Sequence, residues 1–228
     1  MRIKEEILTA IKNELKPGQK FRFHCTQCGE CCRNWKGIFL APYDLFRIAK
    51  YLGMKPSEVM QRYCTLEMDS GSMLPAAALS PEDEGGACPF LKGNVCSIQP
   101  VKPDACALYP LGRVVEYTPK DDSTGNKEKR EFYCLQEVNC GTREEAYTAE
   151  EWFADCGMND GGAWFQEWVA ALEKLIPLMN FVERFLSEKR KNELRSMFVV
   201  FLYWRYHTDE DFMPQFQRNL GTVLEMLS

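Results

Sequence analysis

The 228 residues carry a net charge of -5, with 45% hydrophobic and 27% charged residues. That balance fits a globular protein with a real core, and with no basic block it argues against nucleic acid or an anionic membrane surface as the main partner. The N-terminus, Met1-Arg2-Ile3-Lys4-Glu5-Glu6, lacks the apolar run of a signal peptide. The longest apolar run, Met197 to Trp204, is too short to span a bilayer. A cytoplasmic protein is expected, where thiols stay reduced and clustered cysteines more often bind metal than form disulfides. There are 11 cysteines, an odd number that cannot be fully paired within one chain.

In chain order, Ile3, Ile7, Leu8, Ile11 and Leu15 repeat at helical spacing, and Pro17-Gly18 stops that helix. Phe21-Arg22-Phe23-His24 alternates and predicts a short extended segment. It leads into Cys25-Thr26-Gln27-Cys28-Gly29-Glu30-Cys31-Cys32, four thiols within eight residues. Thiolates at this spacing on a tight loop can turn toward a common centre, and Gly29 lets the backbone bend around it. The adjacent side chains of Cys31 and Cys32 are expected to point in different directions. Two metal centres, or one cluster plus a packed thiol, are therefore easier to build than one ion shared by both. His24 is read as exposed or as a hydrogen-bond donor behind the ligands, with ligation as the alternative.

Gly37 to Leu40 predicts a short strand. A helix follows from Pro42, with Asp44 in its first turn, Leu45, Ile48, Ala49 and Leu52 on its buried face, and Gly53 at its end. Pro56 opens a second helix carrying Val59, Met60 and Tyr63, with Cys64 at its end as a buried core thiol. Residues 65 to 87 read as loop around a small Ala76–Leu79 segment. Then Cys88-Pro89-Phe90-Leu91, Cys96-Ser97-Ile98 and Pro103-Asp104-Ala105-Cys106 fall in Gly/Pro-punctuated chain that can be shaped around a metal. The lobe from 65 to 110 has little periodic apolar sequence, so a metal is expected to organise it.

Leu111–Tyr117 and Glu131–Leu135 predict two strands joined by the polar stretch Thr118–Arg130, with Cys134 facing either a metal or the core. Thr148-Ala149-Glu150-Glu151 is a capping box opening a helix, and Cys156 near its end is read as structural. From about Gly161 the apolar residues keep a helical period through Leu186, with Pro177 expected to kink the helix. Residues 187 to 195 are charged and expected to be exposed. Leu194–Tyr206 predicts a buried helix, and Phe212 to Leu227 a last one; His207 is read as a surface residue.

The spacing Cys25-x2-Cys28-x2-Cys31-Cys32, joined to Cys88-Pro-Phe-Leu, Cys96-x-Ile, Pro103-x2-Cys106 and Tyr109-Pro110, resembles a bacterial cysteine-cluster family described as a zinc- or iron-chelating domain. The likeness covers roughly residues 21 to 160, and Cys140-Gly141 fits the family's further cysteine followed by glycine. The first three cysteines are also spaced like those of bacterial ferredoxins, although Cys32 takes the ground where a ferredoxin keeps its fourth. A relative of the family is a flagellin lysine N-methylase, longer than this chain.

Cys25, Cys28, Cys31, Cys32, Cys88, Cys96, Cys106 and Cys140 make eight candidate ligands, enough for two four-thiolate sites of zinc or iron–sulfur type. Their partition stays open. The expected fold is α+β: a helix over 1–20, a loop-rich cysteine domain with short strands and helices over 21–160, and a helical region over 161–228.

Three functions fit: a metal-binding protein with a redox, metal-handling or structural centre; an iron–sulfur-dependent protein-modifying enzyme like the lysine N-methylase; and a zinc-stabilised module for a protein partner. The chain has no Gly-rich dinucleotide loop, phosphate loop, Gly-x-Ser-x-Gly elbow or paired-histidine zinc-protease motif. With 2 histidines it cannot build a His-rich metal site.

Overall fold

The computed structural model describes residues 8–33, 37–69, 72–81, 86–119, 127–157 and 163–227. The fold is α+β, with small antiparallel sheets and a helical C-terminal region. Ile3 and Ile7 of the first expected helix lie outside the described residues; 8–12 are helical. The chain divides into two compact units, one formed by 1–28 with 105–161 and the other by 29–104 with 162–228.

In the first unit, β1 (Phe21–His24) alternates as its sequence requires, with Phe21 and Phe23 buried and Arg22 and His24 exposed. It pairs antiparallel with β9 (Thr142–Tyr147). The sequence predicts no strand here. Thr-Arg-Glu-Glu-Ala-Tyr has weak strand propensity and is fixed by its partner rather than by its own pattern. A long hairpin joins β7 (Leu111–Pro119) to β8 (Lys127–Leu135). Both strands run past the expected boundaries into the charged stretch assigned to loop, because cross-strand pairs such as Glu116↔Arg130 and Tyr117↔Lys129 extend the ladder. Residues 13–15 run beside β8, with the Leu15 amide donating to the Tyr133 carbonyl at 2.8 Å. The core is Phe21, Phe23, Leu111 and Trp152. Trp152 comes from the helix Ala149–Asp155, whose Thr148–Glu151 capping box forms as expected. Its indole Nε1 donates to the Leu108 carbonyl at 3.0 Å, and its ring meets Phe23 edge-on at 5.6 Å.

In the second unit, β2 (Phe39–Leu40), β4 (Pro75–Leu79) and β3 (Cys64–Met68) form an antiparallel sheet in the order β2-β4-β3. Over 65–87 the sequence predicts loop around a small Ala76–Leu79 segment, and strands stand there instead. The alanine-rich β4 lacks β-branched residues, yet Leu74, Ala77, Ala78 and Leu79 are buried, because small side chains fit a central strand under packed helices. Helix Pro42–Leu52 starts at a proline, has its Ala41 amide capped by Asp44, and ends at Gly53 in the left-handed region (φ 65°). Helix Pro56–Tyr63 repeats the device with Glu58 on the Lys55 amide.

These elements share one core with the C-terminal helices: Leu45, Ile48 and Val59 are packed in the same cluster as Leu175, Phe198, Leu202 and Phe216. Helix Ala163–Phe185 continues through Pro177. The charged stretch after it is helical, entering Glu188–Val199 at the Ser187 cap, and a π-helical turn, Val200–Trp204, follows before Phe212–Leu227. No described helix is long and apolar enough to cross a membrane.

Candidate metal centre

Gln27 and Gly29 both take left-handed backbone (φ 53° and 75°), which turns the chain into the short helix Glu30–Arg33. The first turn closes with the Cys32 amide on the Gly29 carbonyl at 3.0 Å. Against this helix lies a tight hairpin of β5 (Leu91–Lys92) and β6 (Val95–Cys96), joined by the two residues Gly93-Asn94. Gly93 has φ 63°, the conformation such turns require. The Arg33 guanidinium fastens helix to hairpin: Nη2 donates to the Gly93 carbonyl at 2.8 Å and to Asn94 Oδ1. Gly29 is squeezed into the same contact; a Cβ there would stand 2.8 Å from Arg33 Nη1 and 3.2 Å from the Asn94 carbonyl oxygen and Leu91 Cδ1. The Cys88 amide donates to the Cys32 carbonyl at 2.8 Å. Phe90 and Ile98 anchor this segment in the core, with Phe90 packed on Tyr63 at 4.7 Å between ring centroids.

These contacts gather four of the eight candidate thiols within one unit. Cys31 and Cys32 Sγ are 3.9 Å apart. The Cys32 thiol also hydrogen-bonds Cys88 and feels the charge of Cys96, and Cys31 and Cys96 interact electrostatically. Cys31 is exposed, while Cys32, Cys88 and Cys96 are half-buried. The expectation that the side chains of Cys31 and Cys32 diverge is not met: their sulfurs turn toward each other, in hydrogen-bond contact. As the side chains stand, no group of three or more His, Cys, Asp or Glu among the described residues is set to hold a metal ion.

Crowding shapes the acidity of these thiols. Cys31 is pushed well up by its hydrogen bond with Cys32, then by loss of solvent and by the Cys32 charge. Cys32 is pushed up to about 11: the bond with Cys31 lowers it, while the bond with Cys88, burial and the charges of Cys88 and Cys96 together outweigh that. Burial raises Cys96, and the Lys102 ammonium pulls both Cys31 and Cys96 down. Thiolates that repel one another in this way are the ones a divalent cation relieves, displacing their protons. Soft sulfur donors on loops suit zinc or iron–sulfur centres and exclude an oxygen-loving ion such as calcium or magnesium.

The other four candidates belong to the first unit. Cys25 and Cys28 are exposed, and Cys106 and Cys140 are half-buried. The Tyr109 hydroxyl lies 3.4 Å from Cys140 Sγ. Gly141 after it is in the left-handed region (φ 69°) and packed so closely that a Cβ would meet the His24 carbonyl oxygen at 2.5 Å. His24 itself pairs with Glu145 across the sheet at 3.0 Å.

The three cysteines outside the candidate set have packing roles. Cys64 caps its helix and is held as a thiol, pushed up to about 12 by burial. Cys134 is buried with its sulfur over Gly112, where a Cβ would come within 3.0 Å of it. Cys156 donates to the Ala107 carbonyl at 3.0 Å. None of the eleven cysteines is in a disulfide. Sequence reasoning missed Arg33 and Lys102, since neither sits at a ligand spacing; only the folded chain brings Arg33 onto the Gly93–Asn94 turn and the Lys102 charge to bear on Cys31 and Cys96.

A family described as "CxxCxxCC: Putative zinc- or iron-chelating domain" matches residues 24–141. No curated protein and no solved structure matches the chain.

Proposed function

The chain belongs to that CxxCxxCC family of zinc- or iron-chelating domains, and on this premise we propose that it is a metal-binding protein whose primary ligands are Cys31, Cys32, Cys88 and Cys96. The observation that carries the reading is the convergence of these four thiols, from a short helix and a hairpin fastened together by Arg33. Rotation about the cysteine side chains would close the set on an ion, because the backbone already brings the segments together. Cys25, Cys28, Cys106 and Cys140 form a second candidate set in the other unit.

Zinc would supply a cross-link between loops, and an iron–sulfur centre would supply one-electron chemistry. Arg33 and Asn94 hold the hairpin in place, while Lys102 places a positive charge beside the sulfurs and offsets the negative charge of a thiolate cage. A reducing compartment, the cytoplasm, suits eleven cysteines with no disulfide among them.

Metal and acid-labile sulfide analysis of protein purified without oxygen tests the proposal. Stoichiometric zinc or iron is expected in the wild type, with a loss of metal in Cys88→Ser. Protein grown with both metals that carries neither would overturn it.

A further inference from the structure

We propose that the outer edge of β3 binds a second copy of this chain, strand to strand and antiparallel, about a twofold axis at Leu66. In the order β2-β4-β3, no described strand pairs with that edge. The ladder on the inner side fixes which backbone groups face out. The Ser80 amide donates to the Tyr63 carbonyl at 2.8 Å and the Asp69 amide to the Leu74 carbonyl at 3.0 Å, in the same register as the β3–β4 pairs. Hydrogen-bonded pairs alternate along an antiparallel ladder, so Thr65 and Glu67 bond inward to β4, while Leu66 and Met68 turn their N–H and C=O groups outward. The Cys64 carbonyl also faces out, its amide being taken by the Met60 carbonyl.

Apolar side chains follow the backbone to this edge. Leu66 stands opposite Ala77 and Ala77 opposite Leu40, so the three share a face of the sheet. Leu40 and Ala77 are buried, yet Leu66 at the end of the row is 53% exposed and Met68 on the same face is 41% exposed. The helices that cover the core therefore stop short of this edge and leave room beside it. β3 has no lysine or proline, the residues that commonly block edge pairing.

Charge selects the register. With Leu66 opposite Leu66 of the second copy, those residues exchange both backbone bonds, and each Met68 amide meets the Cys64 carbonyl of the second copy. Leu66 then packs on Leu66 and Met68 on Cys64. Thr65 stands opposite Glu67, where its hydroxyl can donate to the carboxylate. An axis at Glu67 would instead set two carboxylates directly opposite, a destabilising like-charge pair. The Leu66 register joins two three-stranded sheets into one through a self-complementary contact.

Sedimentation velocity of the full chain in reductant, over a wide concentration series, tests the proposal. The wild type should pass reversibly from monomer to dimer, and Leu66→Lys should lose the dimer. A wild type that stays monomeric throughout would overturn it, as would a dimer that survives Leu66→Lys. Open-ended assemblies would overturn it too, since a twofold contact closes at two copies. Residue-resolved hydrogen exchange on the wild type keeps the question answerable if the variant does not fold. The Leu66 and Met68 amides should slow as concentration rises, with Thr65 and Glu67 unchanged. A dimer that leaves Leu66 and Met68 exchanging as in the monomer would place the contact elsewhere and overturn the proposal.

Discussion

Three glycines test the local geometry separately from the metal. Gly18, Gly29 and Gly141 all have φ between 69° and 75°, where a side chain costs about 1–2 kcal/mol. Their surroundings differ: nothing lies within 4 Å of a Cβ at Gly18; at Gly29 it would meet the movable Arg33 Nη1 at 2.8 Å and the Asn94 carbonyl at 3.2 Å; at Gly141 it would collide with the His24 carbonyl and the Phe23 ring at 2.5 and 2.7 Å. Alanine should therefore lower Tm in the order Gly141 most, Gly29 next, Gly18 least, with Gly18→Ala costing only the backbone term. Thermal unfolding checks the order, and equal losses at all three would contradict the contacts. At this scale the sequence was informative about chemistry and silent about direction. The spacing of Cys25, Cys28, Cys31 and Cys32 singles out the loop, but where two neighbouring sulfurs point depends on side-chain rotation and on the segments packed against them. The four residues Glu30–Arg33 are too short to show a period.

Between elements, the buried Asp44 ties helix Pro42–Leu52 to the segment that follows the hairpin. Its carboxylate accepts from the Ala41 and Asp104 amides at 3.0 Å and from Arg47 at 2.6 Å, and Arg47 also reaches Asp104 at 2.6 Å. Burial, then the neighbouring Asp104 carboxylate, raises Asp44 from 3.8 to about 6 against the pull of Arg47. A carboxyl with a raised folded pKa holds its proton more tightly when folded. Its stabilising contribution is full below about pH 4 and is lost as pH rises through about 6. Denaturant unfolding should show the wild type losing ground to Asp44→Asn between those two pH values; a difference that stays flat or grows with pH would contradict this placement. Proline starts and glycine stops made this helix legible in the sequence. The strands β4 and β9 were not, because an alanine run and a charged hexapeptide become strands only through their partners.

At the scale of the molecule, each unit is assembled from segments distant in sequence, and local patterns carry no record of that pairing. The 29–104 segment shares its core with the C-terminal helices, through residues such as Leu45, Val59, Leu175 and Phe216. That apolar core changes the role expected of the metal. The lobe from 65 to 110 has Leu74, Ala77, Leu79, Phe90 and Ile98 buried, so metal is not its sole organiser. Chelation should loosen what lies around the thiols and leave the rest folded. Hydrogen exchange on zinc-loaded against chelated protein is the most direct measurement of this account. Protection should be gained on loading at 29–33 and 86–98, with the helices over 163–227 unchanged. Loading that leaves 29–33 and 86–98 as exchangeable as in the chelated protein would contradict a metal centre built from Cys31, Cys32, Cys88 and Cys96.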